Sequence, residues 1–109
     1  MPTNYKVLGQ SAPAATTDTS LYTVPASTET VVSSIIVANR SASAATYRIA
    51  VRPDGASIAN QHYIAYDVTV GASDSTVLTL GLTMNAADVI TVYASTSALS
   101  FSAYGSEIS

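Results

Sequence analysis

The chain has a single histidine, His62, and this is the first residue to test for catalytic chemistry. A Ser-His-Asp triad needs a serine and an aspartate held beside the imidazole, yet the sequence has no Gly-x-Ser-x-Gly elbow or similar nucleophile signature. Residues 62–70 alternate as a β-strand does, which places His62 on one strand face beside Ile64 and Tyr66. We interpret His62 as a packing residue and predict that the protein is not an enzyme.

The seven acidic residues show no spacing that selects a pair for glycoside hydrolysis or a set of metal ligands. Asp67, Asp74 and Asp88 are interpreted as strand-surface or turn residues. Cysteine is absent, which removes thiol nucleophiles and the common structural zinc sites. No glycine-rich phosphate loop occurs either. The sequence therefore predicts no catalytic residue, no metal site and no cofactor.

The seven tyrosines are the remaining candidates for recognition, because an exposed tyrosine can stack on a sugar ring or anchor a protein interface. Tyr47, Tyr66 and Tyr93 lie in apolar segments, so core or half-core positions are expected for them. Residues near the chain ends or in short strands are better candidates for contacts between subunits. The predicted interface residues are Tyr5, Val7, Leu8, Tyr22 and Tyr104.

Charge limits the range of partners. Four basic residues against seven acidic ones give a net charge of −3. Four basic residues are too few to neutralise a useful number of phosphates, so nucleic acid is not expected as a ligand. No apolar run approaches the roughly 18 residues of a membrane span, and residues 1–10 lack the apolar region of a secretory signal. A soluble chain made in the cytoplasm is expected.

Charged residues make up 10% of the chain, against about a quarter in typical soluble domains. A surface with little charge has weak protection against self-association, which favours a homo-oligomer. The alternative is a β-domain that uses serine and threonine on its solvent faces without assembling.

The pattern of residues predicts an all-β fold. Good helix formers are scarce, and short segments of β-branched and aromatic residues alternate with turn residues such as those of the Pro53-Asp54-Gly55 turn. Turn signals about 8 to 12 residues apart are typical of a β-sandwich or small barrel. We predict one antiparallel β-sandwich, jelly-roll or immunoglobulin-like, of seven to eight short strands. The predicted strands are residues 4–8, 21–24, 29–39, 45–52, 62–70, 75–82, 89–94 and 99–104.

Residues 11–20 (SAPAATTDTS) are small and polar and include a proline, a composition typical of an extended segment. We therefore divide the chain into an extended N-terminal arm, residues 1–20, and a sandwich domain, residues 21–109. Such an arm can cross a subunit boundary and add a strand to a neighbouring sheet.

Six segments together resemble a group of short virion proteins of tailed bacteriophages, including phages of cyanobacteria. The resemblance spans nearly the whole chain, and LYTVP followed by VVSSIIVANR is its most distinctive part. The segments are KVLGQS (6–11), DTSLYTVP (18–25), VVSSIIVANRS (31–41), YRIAVRP (47–53), GLTMNAADVITVYAS (81–95) and LSFSAYGSEI (99–108).

The resemblance implies a non-enzymatic structural part of the virion, assembled in the host cytoplasm. A capsid decoration (cement) subunit is the favoured role, with the major capsid protein or other virion proteins as partners and a trimer as the favoured homo-oligomer. The alternatives are a tail, baseplate or fibre-associated component, or a β-domain that binds a receptor or carbohydrate.

Overall fold

The computed structural model of the protein describes residues 2–109. Their regular structure consists of eight β-strands and two short 3₁₀ turns, Pro53–Gly55 and Asn60–His62, which confirms the all-β prediction. No helix among these residues has the length and apolar character needed to cross a membrane. The strands are β1 (Thr3–Ser11), β2 (Thr19–Thr23), β3 (Glu29–Asn39), β4 (Ala45–Arg52), β5 (Tyr63–Val70), β6 (Ser75–Met84), β7 (Val89–Ala94) and β8 (Leu99–Ile108).

The strands form two four-stranded sheets. The first sheet has the order β1-β8-β3-β6 and the second has the order β2-β7-β4-β5. Four antiparallel pairs are nested within one another along the chain, as in one long hairpin folded into two layers. They are β1 with β8, β2 with β7, β3 with β6 and β4 with β5. This is the order of an eight-stranded jelly roll and not that of the immunoglobulin-like alternative.

The core lies between the two sheets and is built by strand alternation. In β8, Leu99, Phe101 and Ala103 are buried, and the two serines between them face outward. The Phe101 ring meets the Tyr47 ring of β4 edge to face, with centroids 6.2 Å apart. Because these rings belong to different sheets, their contact helps to hold the two layers together.

The hydroxyl of Tyr47 is an exception within this core. Its oxygen is buried and has no hydrogen-bond partner in residues 2–109, and burial raises its pKa above the ordinary value. A buried polar group without a partner costs about 1–3 kcal/mol. We expect Tyr47→Phe to keep the ring contact and to raise the free energy of unfolding by about 1 kcal/mol. Urea unfolding checks this, with the partly exposed Tyr93→Phe as a control of small effect; a loss of stability in Tyr47→Phe would contradict it.

The N-terminal residues differ from the extended arm expected over residues 1–20. Residues 3–11 form β1, which pairs with β8 along its length, from Thr3 opposite Ile108 to Ser11 opposite Phe101. Residues 12–18 lie outside the strands, although the Thr16 N–H donates to the Ala94 carbonyl oxygen at 2.8 Å. The physical reason is that β8 supplies backbone partners from the far end of the chain. The sandwich therefore includes the first strand, and the division at residue 20 does not match its boundary.

Candidate interaction surfaces

His62 lies in a 3₁₀ turn directly before β5, and not within a strand as its alternating neighbours predict. Its backbone N–H donates to the Ala59 carbonyl oxygen, and its Nδ1 accepts from the Ala59 N–H, both at 3.0 Å. These reciprocal bonds close the turn. Among residues 2–109, no group of three or more histidine, aspartate or glutamate side chains is placed to hold a metal ion.

The five predicted interface residues separate into a buried pair and an exposed group. Leu8 and Tyr22 belong to the core, so their contacts are within the sandwich and the prediction is corrected for both. Leu8 turns inward because the register of β1 against β8 shifts beside it. Tyr5 is 86% exposed, Val7 is 48% exposed and Tyr104 is partly exposed.

The exposed group lies on the outer face of the first sheet, where we call Tyr5, Val7, Val31 and Tyr104 the terminal patch. Val7 is directly opposite Tyr104, while Tyr5 and Val31 flank Ser106 on the neighbouring strands. These cross-strand neighbours lie about 5 Å apart and share one face. Three strands thus bring residues from both ends of the sequence into one apolar surface.

The outer face around the terminal patch carries almost no charge. Its other side chains in β8, β3 and β6 are mainly serine, threonine, valine and isoleucine. Within the described part of the chain, Glu29 at the start of β3 is the one charged side chain at the outward positions of this sheet. Lys6, although in β1, pairs with Gly105 on the other face. The Arg40 guanidinium, whose Nε donates to Ser100 Oγ at 2.8 Å, adds one more charge at the other end of β8. A partner can therefore cover the terminal patch while desolvating few charged groups.

Directly beneath the terminal patch, a hydrogen-bond network joins the two sheets. The Tyr22 hydroxyl of β2 donates to the Glu107 carboxylate of β8, and the Thr30 hydroxyl donates to the Tyr22 oxygen at 2.8 Å. Lys6 Nζ lies 3.2 Å from the same carboxylate. The bond from Tyr22, followed by that from Lys6, holds the pKa of Glu107 below its ordinary value. The network fixes the ends of β1 and β8 on which the patch lies.

Burial, reinforced by the bond to Glu107, raises the pKa of Tyr22 from 10.0 to about 12. The neutral hydroxyl therefore stabilises the fold fully below pH 10, and this contribution is lost as the pH rises through about 12. We expect the wild type to lose on the order of 2 kcal/mol more stability over this interval than Tyr22→Phe. Urea unfolding of both proteins measures the difference; equal losses would contradict the role of Tyr22.

A second surface lies on the outer face of the second sheet. The Arg48 guanidinium carbon of β4 is 4.2 Å from the ring centroid of Tyr66 and 4.3 Å from that of Tyr93. Arg48 Nε also donates to the Asp67 carboxylate at 2.7 Å, and this bond raises the pKa of the guanidinium. Tyr63 meets Tyr66 edge to face at 4.9 Å. We call Arg48, Tyr63, Tyr66 and Tyr93 the tyrosine cluster.

The tyrosine cluster corrects the placement expected for one of the apolar-strand tyrosines. Tyr47 is buried and Tyr93 is half-buried, as predicted, but Tyr66 is 56% exposed. The register of β5 against β4 shifts near Tyr66, and Asp67 has a positive φ of 51°. Simple alternation cannot reveal such a bulge, which turns Tyr66 toward solvent.

Comparison of the sequence with protein-family models and with curated proteins found no match.

Proposed function

We propose that the protein is a non-enzymatic structural subunit of a tailed-bacteriophage virion, with capsid decoration as the favoured role. The observation that carries this proposal is the terminal patch, an exposed apolar surface on an almost uncharged sheet face. The partner of the protein is the major capsid protein or another virion protein. The protein joins the virion during assembly in the host cytoplasm.

The chemistry of the patch suits a protein partner. Tyr5 presents a large, mostly exposed ring with few rotatable bonds, and tyrosine is enriched among residues that dominate protein interfaces. Val7 and Tyr104 extend the apolar area beside it. Burying this apolar surface against a partner contributes roughly 25 cal/mol per Å² to the free energy of binding.

The scaffold suits a part that is added to a larger assembly. The sandwich is slender, with extents of 45 × 27 × 19 Å, and the patch lies on paired strands, which hold the side chains in a fixed arrangement. Jelly rolls occur in viral capsid and lectin domains, so the fold is compatible with the proposal without selecting it.

A double substitution in the patch tests the proposal. Tyr5→Ser with Val7→Ser removes exposed apolar area without opening the core, so the variant should fold but fail to bind purified particles that lack the protein. Tyr66→Ser, on the second sheet, is the matched control and should bind as the wild type does. Unchanged binding of the double variant in a co-sedimentation assay would refute the role of the patch.

The tyrosine cluster supports a second candidate, a receptor- or carbohydrate-binding domain of the tail or fibre. Asn60, Tyr63 and Tyr66 line a shallow depression of about 280 Å³, which offers aromatic rings and an amide to a sugar. On this account Tyr66→Ala abolishes binding to an oligosaccharide array while Tyr5→Ala retains it. An array without any bound glycan would exclude this candidate.

A further inference from the structure

The edges of the two sheets differ in how they are protected from other strands. Strands β1 and β6 border the first sheet, and β2 and β5 border the second. An edge strand presents unpaired N–H and C=O groups, which can pair with another chain; charge, proline and bulges oppose such pairing.

Three of these edges carry such protection. Strand β1 includes Lys6 and a register shift halfway along its length. Strand β2 has five residues and is followed closely by Pro25, which lacks an N–H. Strand β5 is bulged near Asp67, whose carboxylate binds Arg48 of the adjacent strand.

Strand β6 also has a register shift, but it lacks both charge and proline. It has ten residues, none charged and none proline. Residues 75–79 pair with β3 in unbroken register, and the shift between Val32 and Ser34 comes only after them. In the middle of this regular stretch Val77 points outward and is 60% exposed. On the inner side, Leu78 is only partly buried.

We propose that β6 binds β6 of a second copy of the chain, antiparallel and across a two-fold axis at Val77. The two first sheets then become one eight-stranded sheet. Val77 faces Val77 of the second copy on the outer side, Ser75 faces Thr79, and on the inner side Thr76 faces Leu78. A self-opposed pairing of this kind is the ordinary geometry of an isologous dimer.

The chemistry of the strand favours a second copy over another partner. Strand β6 is uncharged, so it offers no opposite charge that would select a charged partner strand. Strand β6 of a second copy is equally apolar and places a matching valine opposite Val77. The pairing also covers an exposed valine and satisfies the free backbone groups of both edges. It gives a dimer in place of the trimer that the resemblance implies. It is independent of the proposed function because Tyr5 and Val7 lie at the opposite edge, and Val31 of the patch is opposite Thr83, outside the β6 residues that join the two copies.

Sedimentation equilibrium of the full chain tests the pairing. The wild type should have twice the 11.2 kDa chain mass, and Val77→Lys should have the single-chain mass because two ammonium groups would face each other. Val7→Lys, an exposed valine of the same face at the other edge, is the matched control and should remain dimeric. A monomeric or trimeric wild type, or a dimeric Val77→Lys, would overturn the proposal.

Three further variants separate loss of pairing from loss of folding. Val77→Asp alone should be monomeric, and its mixture with Val77→Lys should restore a dimer of one copy of each. Val77→Cys should form a disulfide-linked dimer on mild oxidation, whereas Val7→Cys should not. Failure of the mixture to dimerise, or equal crosslinking of the two cysteine variants, would contradict a two-fold axis at Val77.

Discussion

Replacing Phe101 by alanine is expected to lower the free energy of unfolding by about 3–5 kcal/mol. Phe101 is 1% exposed and lies in β8, the inner strand between β1 and β3. Its ring also contacts Tyr47 of the opposite sheet, so truncation removes packing area from both layers and leaves a cavity between them. Since small domains are stable by about 5–15 kcal/mol, a large share of the total would be lost.

Tyr104→Ala is the matched control for this prediction. It truncates an aromatic ring in the same strand, but on the outer face, where the ring is partly exposed. Its effect on stability should stay below about 1 kcal/mol. Urea or thermal unfolding compares the two variants, and equal losses would show that the core does not lie on the side of β8 that the fold assigns to it.

Gly105→Ala is the second substitution with a large expected effect. A Cβ atom at this position would overlap the Val31 carbonyl oxygen of β3 and lie 3.0 Å from the Val32 Cα. Both are backbone atoms of the adjacent strand, which cannot move without disturbing the β3–β8 pairing. We expect a loss of about 3 kcal/mol or more in the free energy of unfolding.

The control is another strand glycine of the first sheet. A Cβ atom at Gly81 would have no neighbour within 4 Å, so Gly81→Ala should be neutral or stabilise the protein by about 0.4–1 kcal/mol. Chemical denaturation of both variants tests the pair. A Gly105→Ala protein as stable as the wild type would mean that β3 and β8 do not approach as closely as the structure shows.

The regular strands could be predicted from local sequence. The bounds predicted for β3, β4 and β7 coincide with those in the structure, because their apolar runs or alternating residues are bordered by turn or loop residues such as Pro53 after β4 and Asp88 before β7. Strands β6 and β8 are longer than predicted. In β8 the last residues, 105–108, include a glycine and a glutamate, which weaken the strand pattern although β1 and β3 supply partners on both sides.

The recognition surfaces were harder to predict, since each depends on contacts between distant residues. The terminal patch exists because Val7 is opposite Tyr104, a pairing across almost the whole chain. The short strand that holds Tyr22 predicts an accessible side chain, but its hydroxyl donates to the Glu107 carboxylate from the far end of the sequence, and its ring lies in the core. Tyr66 is exposed through a bulge at Asp67, for which alternation gives no signal.

Labelling of purified phage particles with a gold-conjugated antibody to this protein is the most direct test of the proposed role. We expect label on intact particles, spread over the head for a capsid decoration subunit. Label confined to the tail or its tip would assign the protein to a tail, baseplate or fibre component. Particles without label, in a preparation where the antibody detects the free protein, would contradict the proposal that it is a virion subunit.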